Sequence, residues 1–192
     1  MGKISILGLI FFAAVSAVAQ EYKAEKMFVF AVPTLSVATQ VKNPIEIQDK
    51  LVEMYQKVSS FMASRKIKQI ASGFAQFTRY EPGVAIEFEA GFPTQYEEQG
   101  EGEIIGGYFP GSTNFETLKD ENSVVYAIHR GPYNKVRSAH SAIQDYIKEH
   151  KETQIGGAWE FYAPKKGYTF EPGEKPGDHQ TNVLVIVKGL PK

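Results

Sequence analysis

The feature that most constrains the fold is an order of predicted elements that occurs twice along the chain. Each half contains signals for a strand, a helix and two further strands, and a glycine recurs early in the strand after the helix, as Gly73 and as Gly157. Self-similarity of this kind is typical of an internal duplication. We therefore predict an α+β fold of tandem, pseudo-two-fold β-α-β-β repeats. Its antiparallel sheet would carry both helices on one side, with a cleft between the halves. A chance likeness of two α+β segments is the alternative.

In the first half, the helix has the clearest signals. Asn43 can act as its N-cap, Pro44 suits the first helical position, and Glu46 completes a pattern similar to a capping box. Apolar side chains then recur at the spacing of one helical face, at Ile47, Leu51, Met54, Val58, Phe61 and Met62. Strands are predicted before and after this helix, at 27–32, 70–80 and 84–92, with a turn at Glu81-Pro82-Gly83.

The second half follows the same plan. A strand is predicted at 124–129, Gly131-Pro132 turns the chain, and the next apolar residues share one helical face, at Val136, Ala139, Ile143 and Ile147. Two more strands are predicted at 155–162 and 182–187, joined by a loop rich in Gly, Pro and Lys at 164–179. Superposing the two halves by sequence places Gln76 where Glu160 stands.

The beginning of the chain predicts export. Lys3, an apolar run at 4–15 and the small-x-small pattern Ala17-Val18-Ala19 are typical of a signal peptide at 1–19 that is cleaved before Gln20. The apolar run is shorter than the about 20 residues that a membrane-spanning helix needs, so an uncleaved anchor is the less favoured alternative. We expect a secreted or periplasmic protein that has no membrane contact after cleavage.

Residues 20–192 are expected to form one domain, with repeat one at about 27–93, a linker at 94–121 and repeat two at about 122–191. The linker is Gly-rich but acidic, which argues against a phosphate-binding loop. Cysteine is absent, so disulfides and thiolate metal sites are excluded. Removing Lys3 from the 21 basic residues leaves 20 against 22 acidic ones, a net charge of −2. That charge does not favour nucleic acid or an anionic membrane as a partner.

The second half also contains the strongest signal for function. Glu160 is a single carboxylate in an otherwise apolar and aromatic strand, where a charge is costly unless a partner compensates it. A hydrophobic strand ending in His129-x-Gly131-Pro132-Tyr133, then a helix, then Glu160-x-Tyr162 resembles the GyrI-like small-molecule-binding domain. That domain is also the effector-binding domain of AraC- and MerR-type multidrug-sensing regulators. Its last strand often reads Thr-Glu-Ile, whereas Thr181-Asn182-Val183 stands here, so a second acid is absent.

The resemblance implies that Glu160 and Tyr162 face a cleft between the halves, where Tyr162 stacks on a flat ligand and Glu160 pairs with its positive charge. Without a ligand, an ion pair of Glu160 with Arg130 or Arg137 is the alternative. The candidate ligand contacts are Glu160, Tyr162, Trp159, Gln76, Phe74, Tyr126 and Tyr133. Ordinary core packing is an equal alternative for Gln76, Phe74, Tyr126 and Tyr133. Tyr108 and Phe109, in the linker, would form a lid.

Three functions follow as expectations. The first is binding of small amphipathic molecules, aromatic or cationic, in the cleft. The second is a hydrolase of reactive electrophiles, in which Glu160 activates water and Tyr162 positions or protonates the substrate. The third is a protein-interaction module. The four histidines lack metal-site spacing and no Gly-x-Ser-x-Gly elbow is present, so we expect no metal, no cofactor and no serine hydrolase. Regulation of transcription is not expected, because no helix-turn-helix segment precedes the domain.

Overall fold

The structure, a computed structural model, describes most of the chain that follows the predicted signal peptide. The described residues are 22–29, 31–109, 122–167, 170 and 173–188. The signal peptide at 1–19 and its cleavage before Gln20 lie outside them, as do residues 110–121 of the predicted linker. None of the helices in this part of the chain combines the length and the apolar character that a membrane-spanning helix requires.

The described residues form eight strands and two helices. In chain order these are β1 (Glu25–Val29), β2 (Val32–Val41), α1 (Ile47–Arg65), β3 (Phe74–Glu81), β4 (Ala85–Pro93), β5 (Ile105–Phe109), β6 (Asn122–Arg130), α2 (Arg137–Glu149), β7 (Thr153–Ala163) and β8 (Gln180–Lys188). A short 3-10 turn precedes each helix, Pro44–Glu46 before α1 and Tyr133–Lys135 before α2.

Two of the three signals before α1, Asn43 and Pro44, have the predicted geometry, whereas Glu46 is the N-cap residue of α1 without a side-chain capping hydrogen bond. The Asn43 side chain accepts a hydrogen bond from the Ile45 N–H at 3.1 Å, and Pro44 opens the first turn. The helix ends at Lys66, whose φ of 59° is left-handed. Both predicted apolar faces are buried against the sheet, except that Phe61 and Val136 are only partly buried. The buried members are Ile47, Leu51, Met54, Val58 and Met62 in α1 and Ala139, Ile143 and Ile147 in α2.

The strands form one antiparallel sheet in the order β1-β6-β8-β7-β3-β4-β2-β5. The order is symmetric: each strand of one half has a counterpart in the other half at the same distance from the centre of the sheet. β3 and β7 pair at the centre, β4 and β8 flank them, β2 and β6 follow, and β1 and β5 form the edges. A pseudo-two-fold axis between β3 and β7 therefore relates the halves, and the predicted fold class is confirmed.

The edge strands join the halves in a way that the sequence pattern did not predict. β1 precedes the first repeat but pairs with β6 of the second. β5 precedes the second repeat but pairs with β2 of the first. β1, which leads into the first repeat, thus completes the second, and β5, which leads into the second repeat, completes the first.

The first strand of repeat one was predicted in the wrong place. The predicted segment 27–32 spans the end of β1 and only the start of β2. The rest of β2 lies outside the predicted strands and contains Thr, Ser and Gln among its apolar residues. Its polar side chains Thr34 and Ser36 are nevertheless buried, at 4% and 3% exposure, because β2 lies between β4 and β5. The Ser36 hydroxyl is satisfied there by donating to Glu89 Oε2 at 3.1 Å.

The predicted lid is also wrong. Tyr108 and Phe109 belong to β5, where both side chains are buried at 7% exposure. The glycines that suggested a flexible linker have a packing reason instead. A Cβ on Gly106 would lie 2.3 Å from the Glu98 carbonyl oxygen, so the close approach of that backbone to β5 requires glycine.

The core has three parts. Two hydrophobic clusters lie on the helix side of the sheet, one under each helix, and Tyr162 of repeat two is buried in the cluster of repeat one. The third, which we call the Trp159 cluster, lies on the opposite face and consists of Phe74, Phe109, Val124, Trp159, Leu184 and Ile186. The Phe109 ring of edge strand β5 lies 5.0 Å from the ring of Trp159 on central strand β7. The sheet is therefore curled toward this face.

Candidate functional site

Strand β7 places Glu160 over the centre of the sheet. Because successive strand residues point to opposite faces, Glu160 and Tyr162 lie on the helix side while Trp159 points away from it. Glu160 stands directly opposite Ala75 of β3, across the seam between the two halves. Its side chain is buried, with 2% exposure.

Three side chains donate hydrogen bonds to this carboxylate. The hydroxyls of Tyr162 and Tyr133 both reach Oε2, at 2.6 Å and 2.9 Å. The Nε2 atom of His140 lies 2.6 Å from Oε1. Burying a charged carboxylate is costly unless hydrogen bonds replace its hydration, and hydrogen bonds to an ionised group are the strong ones. The donors therefore explain how an acid is held inside the protein.

These residues come from both halves. Tyr133 lies in the 3-10 turn directly after Gly131-Pro132, and His140 lies one turn into α2. Tyr55 comes from α1 of the first half; it is buried, and its hydroxyl has no hydrogen-bond partner among the described residues. Gly73 makes room for it, since a Cβ there would lie 2.7 Å from the Tyr55 ring. We call the set of Glu160, Tyr162, Tyr133, His140 and Tyr55 the Glu160 cluster.

The electrostatics of the cluster keep its phenols protonated. Burial raises the pKa of Tyr55, Tyr133 and Tyr162 well above the ordinary value, and the negative charge of Glu160 raises all three further. The phenol groups therefore remain hydrogen-bond donors over the whole physiological pH range. The cluster presents one carboxylate surrounded by neutral aromatic rings.

The loop between β7 and β8 covers the cluster. The Phe170 ring lies nearly parallel to the Tyr55 ring, with centroids 6.0 Å apart. Gly177, at φ +86°, approaches Tyr133 so closely that a Cβ would lie 2.7 Å from its ring. Lys175 holds the loop to α1 through an ion pair with Asp49 at 2.6 Å. The loop thus packs against the rings of two members of the cluster, Tyr55 and Tyr133.

Three of the predicted aromatic contacts lie elsewhere. Trp159 and Phe74 belong to the Trp159 cluster on the opposite face of the sheet, and Tyr126 packs against the same cluster. The Tyr126 hydroxyl donates to Glu25 Oε2 at 2.8 Å. The alternation of side chains along each strand separates these rings from Glu160. Only Tyr133 and Tyr162 among the predicted aromatic contacts reach the carboxylate.

Gln76 is not the counterpart of Glu160. It stands opposite Trp159 in the β3–β7 ladder, so both side chains point away from the helices. A two-fold axis perpendicular to the sheet exchanges residues of the same face, whereas Gln76 and Glu160 lie on opposite faces. The superposition by sequence is therefore out of register by an odd number of residues, which changes the face of every side chain.

The predicted ion pair has a different partner. Glu160 pairs with His140, while Arg130 and Arg137 are exposed. The sequence contained a signal for His140, because it continues the helical stripe of Val136, Ile143 and Ile147. Tyr55 likewise follows Leu51 by one turn of α1. The described residues include no group of three or more His, Asp or Glu side chains that could hold a metal ion.

Comparison with known proteins gives a fold. No family model and no curated protein matches the sequence. Among solved structures, EcmrR in its DNA complex is 15% identical, with a TM-score of 0.64, and the match covers 88% of this chain and 58% of that one. The chain thus spans little more than half of the length of EcmrR. The isolated EcmrR C-terminal domain is 16% identical, with a TM-score of 0.62 and coverages of 88% and 99%.

Two further structures extend the comparison. A hydrolase from Listeria innocua is 11% identical, with a TM-score of 0.55, covering 86% of this chain and 92% of that one. SAV2435 bound to tetraphenylphosphonium is 12% identical, with a TM-score of 0.50, covering 87% and 94%. Identities of this size establish the fold alone. With the eight-stranded antiparallel sheet and its two helices, these likenesses show that the chain has the GyrI-like fold, as the sequence resemblance predicted.

Proposed function

We propose that the Glu160 cluster binds small lipophilic cations. The observation that carries this proposal is a carboxylate with 2% exposure surrounded by the rings of three tyrosines. A desolvated cation is attracted electrostatically by both parts of such a site, by the carboxylate and by the negative faces of the rings. Small-molecule sites are mostly apolar with a few polar anchors, which is the composition of this cluster.

The fold neighbours support the choice of probe. SAV2435 has been solved with tetraphenylphosphonium, an aromatic cation without hydrogen-bond donors. Its affinity for a protein depends on aromatic contact and on charge. Tetraphenylborate has the same shape and the opposite charge, so the pair separates the contribution of charge from the contribution of shape.

The test compares both ions with the natural chain and with Glu160→Gln. We expect tetraphenylphosphonium to bind the natural chain and tetraphenylborate not to bind. Loss of a charge-assisted contact in a buried site should cost about 1.5–3 kcal/mol, so Glu160→Gln should weaken cation binding roughly 10- to 100-fold. Isothermal titration calorimetry measures both affinities.

A matched control is Glu89→Gln. Glu89 is a partly buried carboxylate of β4, hydrogen-bonded to Ser36 and turned to the opposite face of the sheet. This variant should keep the natural affinity. Equal binding of the cation and the anion, or an unchanged affinity in Glu160→Gln, would contradict the proposal.

A hydrolase is the second candidate, and the contact between His140 and Glu160 is the observation that favours it. A carboxylate with a histidine and two phenols within hydrogen-bond distance of it can accept, hold and return a proton, as general acid–base catalysis requires. A protein of the same fold from Listeria innocua is a hydrolase. Styrene oxide is a suitable electrophilic probe. The candidate predicts formation of the diol by the natural chain and its loss in Glu160→Gln.

Export remains a prediction of the sequence. A chain cleaved before Gln20 would keep Tyr22 and all of β1, which begins at Glu25. The proposed binding would then take place in the periplasm or outside the cell. The interaction-module alternative gains no specific support, because the exposed large apolar side chains belong to separate elements, for example Ile45, Tyr96 and Ile155.

A further inference from the structure

The three donors of Glu160 differ in their access to solvent. Tyr162 is fully buried beside the carboxylate, whereas the His140 side chain is 31% exposed. The tyrosines share Oε2, and His140 alone among the described donors reaches Oε1. A ligand that approaches the carboxylate from solvent on this side therefore meets the imidazole first.

His140 is also the residue that can place a positive charge on Glu160, since its Nε2 atom lies 2.6 Å from Oε1. The ionisable side chains that face Glu160 from other elements are Tyr55 of α1, Tyr80 of β3 and Tyr133, together with Tyr162 of its own strand. Burial and the charge of Glu160 raise the pKa of each, although Arg137 of α2 partly offsets this for Tyr80. These phenols stay neutral between about pH 5 and 8, the range in which imidazoles titrate.

We propose that His140 is a specificity-determining residue of the cluster: its imidazolium is the resident cation on Glu160, and a lipophilic cation binds by replacing it. The imidazolium leaves Oε1, becomes neutral and releases one proton to solvent, while the ligand takes up the pairing with the carboxylate. The net charge of the cluster is the same before and after this exchange. The inference depends on the proposed binding function.

The exchange predicts how affinity depends on pH and on ligand charge. While His140 is protonated, binding of a cation is coupled to the loss of one proton, so affinity should rise about tenfold per pH unit. Once His140 is neutral, the affinity should become constant. A neutral ligand such as triphenylphosphine oxide cannot replace the imidazolium, so its affinity should vary little over the same range. The histidine thus makes the cluster selective for permanent cations as the pH rises.

The experiment is a calorimetric titration of the full chain with tetraphenylphosphonium at several pH values between about 5 and 8. Each titration is repeated in two buffers with different ionisation enthalpies, which gives the number of protons released. We expect the number of protons released to fall from the acidic end of the range to the basic end.

His140→Gln is the decisive variant. Glutamine can place an amide nitrogen near the position of the imidazole Nε2 atom, so it can donate to Oε1 but cannot ionise. We expect no proton release from this variant and an affinity that does not depend on pH. The control is His150→Gln at the end of the same helix, where the ring stacks on Tyr146 outside the Glu160 cluster. This control should release protons like the natural chain.

The outcomes are separable. If the natural chain binds the cation with a constant affinity and no proton release, His140 does not have this role, while the proposed binding function stands. If His140→Gln keeps the proton release of the natural chain, the proton comes from another group and the inference fails. If no cation binds at any pH, both proposals fail. Should His140→Gln not fold, the proton count and the imidazole NMR signal of His140 in the natural chain decide.

Discussion

At the scale of the residue, the stability of Glu160 depends on donors that differ in how they are held. Tyr162 follows Glu160 by two residues on the same strand, so β7 itself fixes their relative positions. Tyr133 and His140 lie 27 and 20 residues away in sequence and depend on the packing of α2. The hydrogen bond between Tyr162 and Glu160 should therefore be formed whenever β7 is formed.

Tyr162→Phe tests the contribution of that bond to stability. The variant keeps the ring in the core but removes the hydroxyl, which leaves Oε2 with Tyr133 as its donor. Loss of a hydrogen bond to a charged group should lower the free energy of unfolding by about 1.5–3 kcal/mol. Urea denaturation measures this change. Tyr96→Phe, at a position with 66% exposure, is the control and should change stability little. Equal stability of the two variants would mean that the buried bond contributes nothing net.

High pH tests the buried phenols together. The folded-state pKa values of Tyr55, Tyr133 and Tyr162 are raised above the value of about 10 in the unfolded chain. Their contribution to stability is complete below that pH and is lost as the pH rises through the folded-state values. We expect these phenols to ionise together with unfolding, seen as tyrosinate absorbance and circular dichroism changing in parallel. Full ionisation of every tyrosine in a chain that keeps its native circular dichroism spectrum would contradict this coupling of ionisation to unfolding.

The sequence drew attention to Glu160, Tyr133 and Tyr162 but missed Tyr55 and His140, and the difference has one physical reason. A carboxylate in an apolar strand is recognisable from its immediate neighbours along the chain. The approach of Tyr55 and His140 depends instead on how each helix lies on the sheet, which sequence spacing does not specify. The same reason explains Gln76, because a register error of one residue moves a side chain to the other face.

At the scale of the element, the helices were predicted more accurately than the strands. Each helix carries its own signals, such as the Asn43 cap and the repeated apolar positions of α1. β2 and β5 carry weak signals, since four of the ten residues of β2 are Thr, Ser or Gln and two of the five residues of β5 are glycines. They are strands because their neighbours in the sheet satisfy their backbone, and those neighbours are distant in sequence.

The loop between β7 and β8 offers a matched pair of glycines. Gly173 and Gly177 both have φ of +86°, but a Cβ at Gly173 meets no atom of the described residues within 4 Å, whereas at Gly177 it meets the Tyr133 ring. Alanine at either position should cost about 1–2 kcal/mol for the left-handed backbone. Gly177→Ala should cost more, because the ring or the loop must move.

The difference between the two variants isolates the contact with Tyr133. We expect Gly177→Ala also to weaken binding of tetraphenylphosphonium, with Gly173→Ala close to the natural chain. Urea denaturation and calorimetry of both variants measure the two effects. Identical results for the pair would show that the loop does not position Tyr133.

At the scale of the whole molecule, the two halves are held together by more than the central β3–β7 pair. β1 and β5 cross between the halves at the edges, and Tyr162 of the second repeat is buried in the core of the first. The Glu160 cluster lies at the centre of this arrangement, with Tyr55 from one half and its other members from the second. Neither half contains the complete site.

Removal of residues 1–29 tests the edge exchange. The truncated chain lacks β1, so we expect the amides of β6 to exchange hydrogen faster while those in the β2–β4 ladder remain protected. The effect should appear in the second repeat, although the cut is next to the first. Removal of residues 1–19 alone, which keeps β1, is the control. Faster exchange in β2 rather than β6 would contradict the strand order.

The predicted signal peptide is tested on the exported product. Mass analysis of its N-terminus should give a chain that begins at Gln20, which retains every described residue of β1. Recovery of intact Met1 in the membrane fraction would favour the anchor alternative.

The exchanged edge strands also have a consequence for the order of events during synthesis. β1 is the first of the described strands to emerge, whether from the ribosome or from the export channel that the predicted signal peptide implies, yet the Tyr126 hydroxyl that donates to its Glu25 is 101 residues further along the chain. Closing a loop of that length costs entropy before any contact compensates it. The first repeat can pair β2, β3, β4 and β5 as they emerge. β1 stays unpaired until β6, its partner strand, has also emerged. The strand made first is therefore among the last to be built into the sheet.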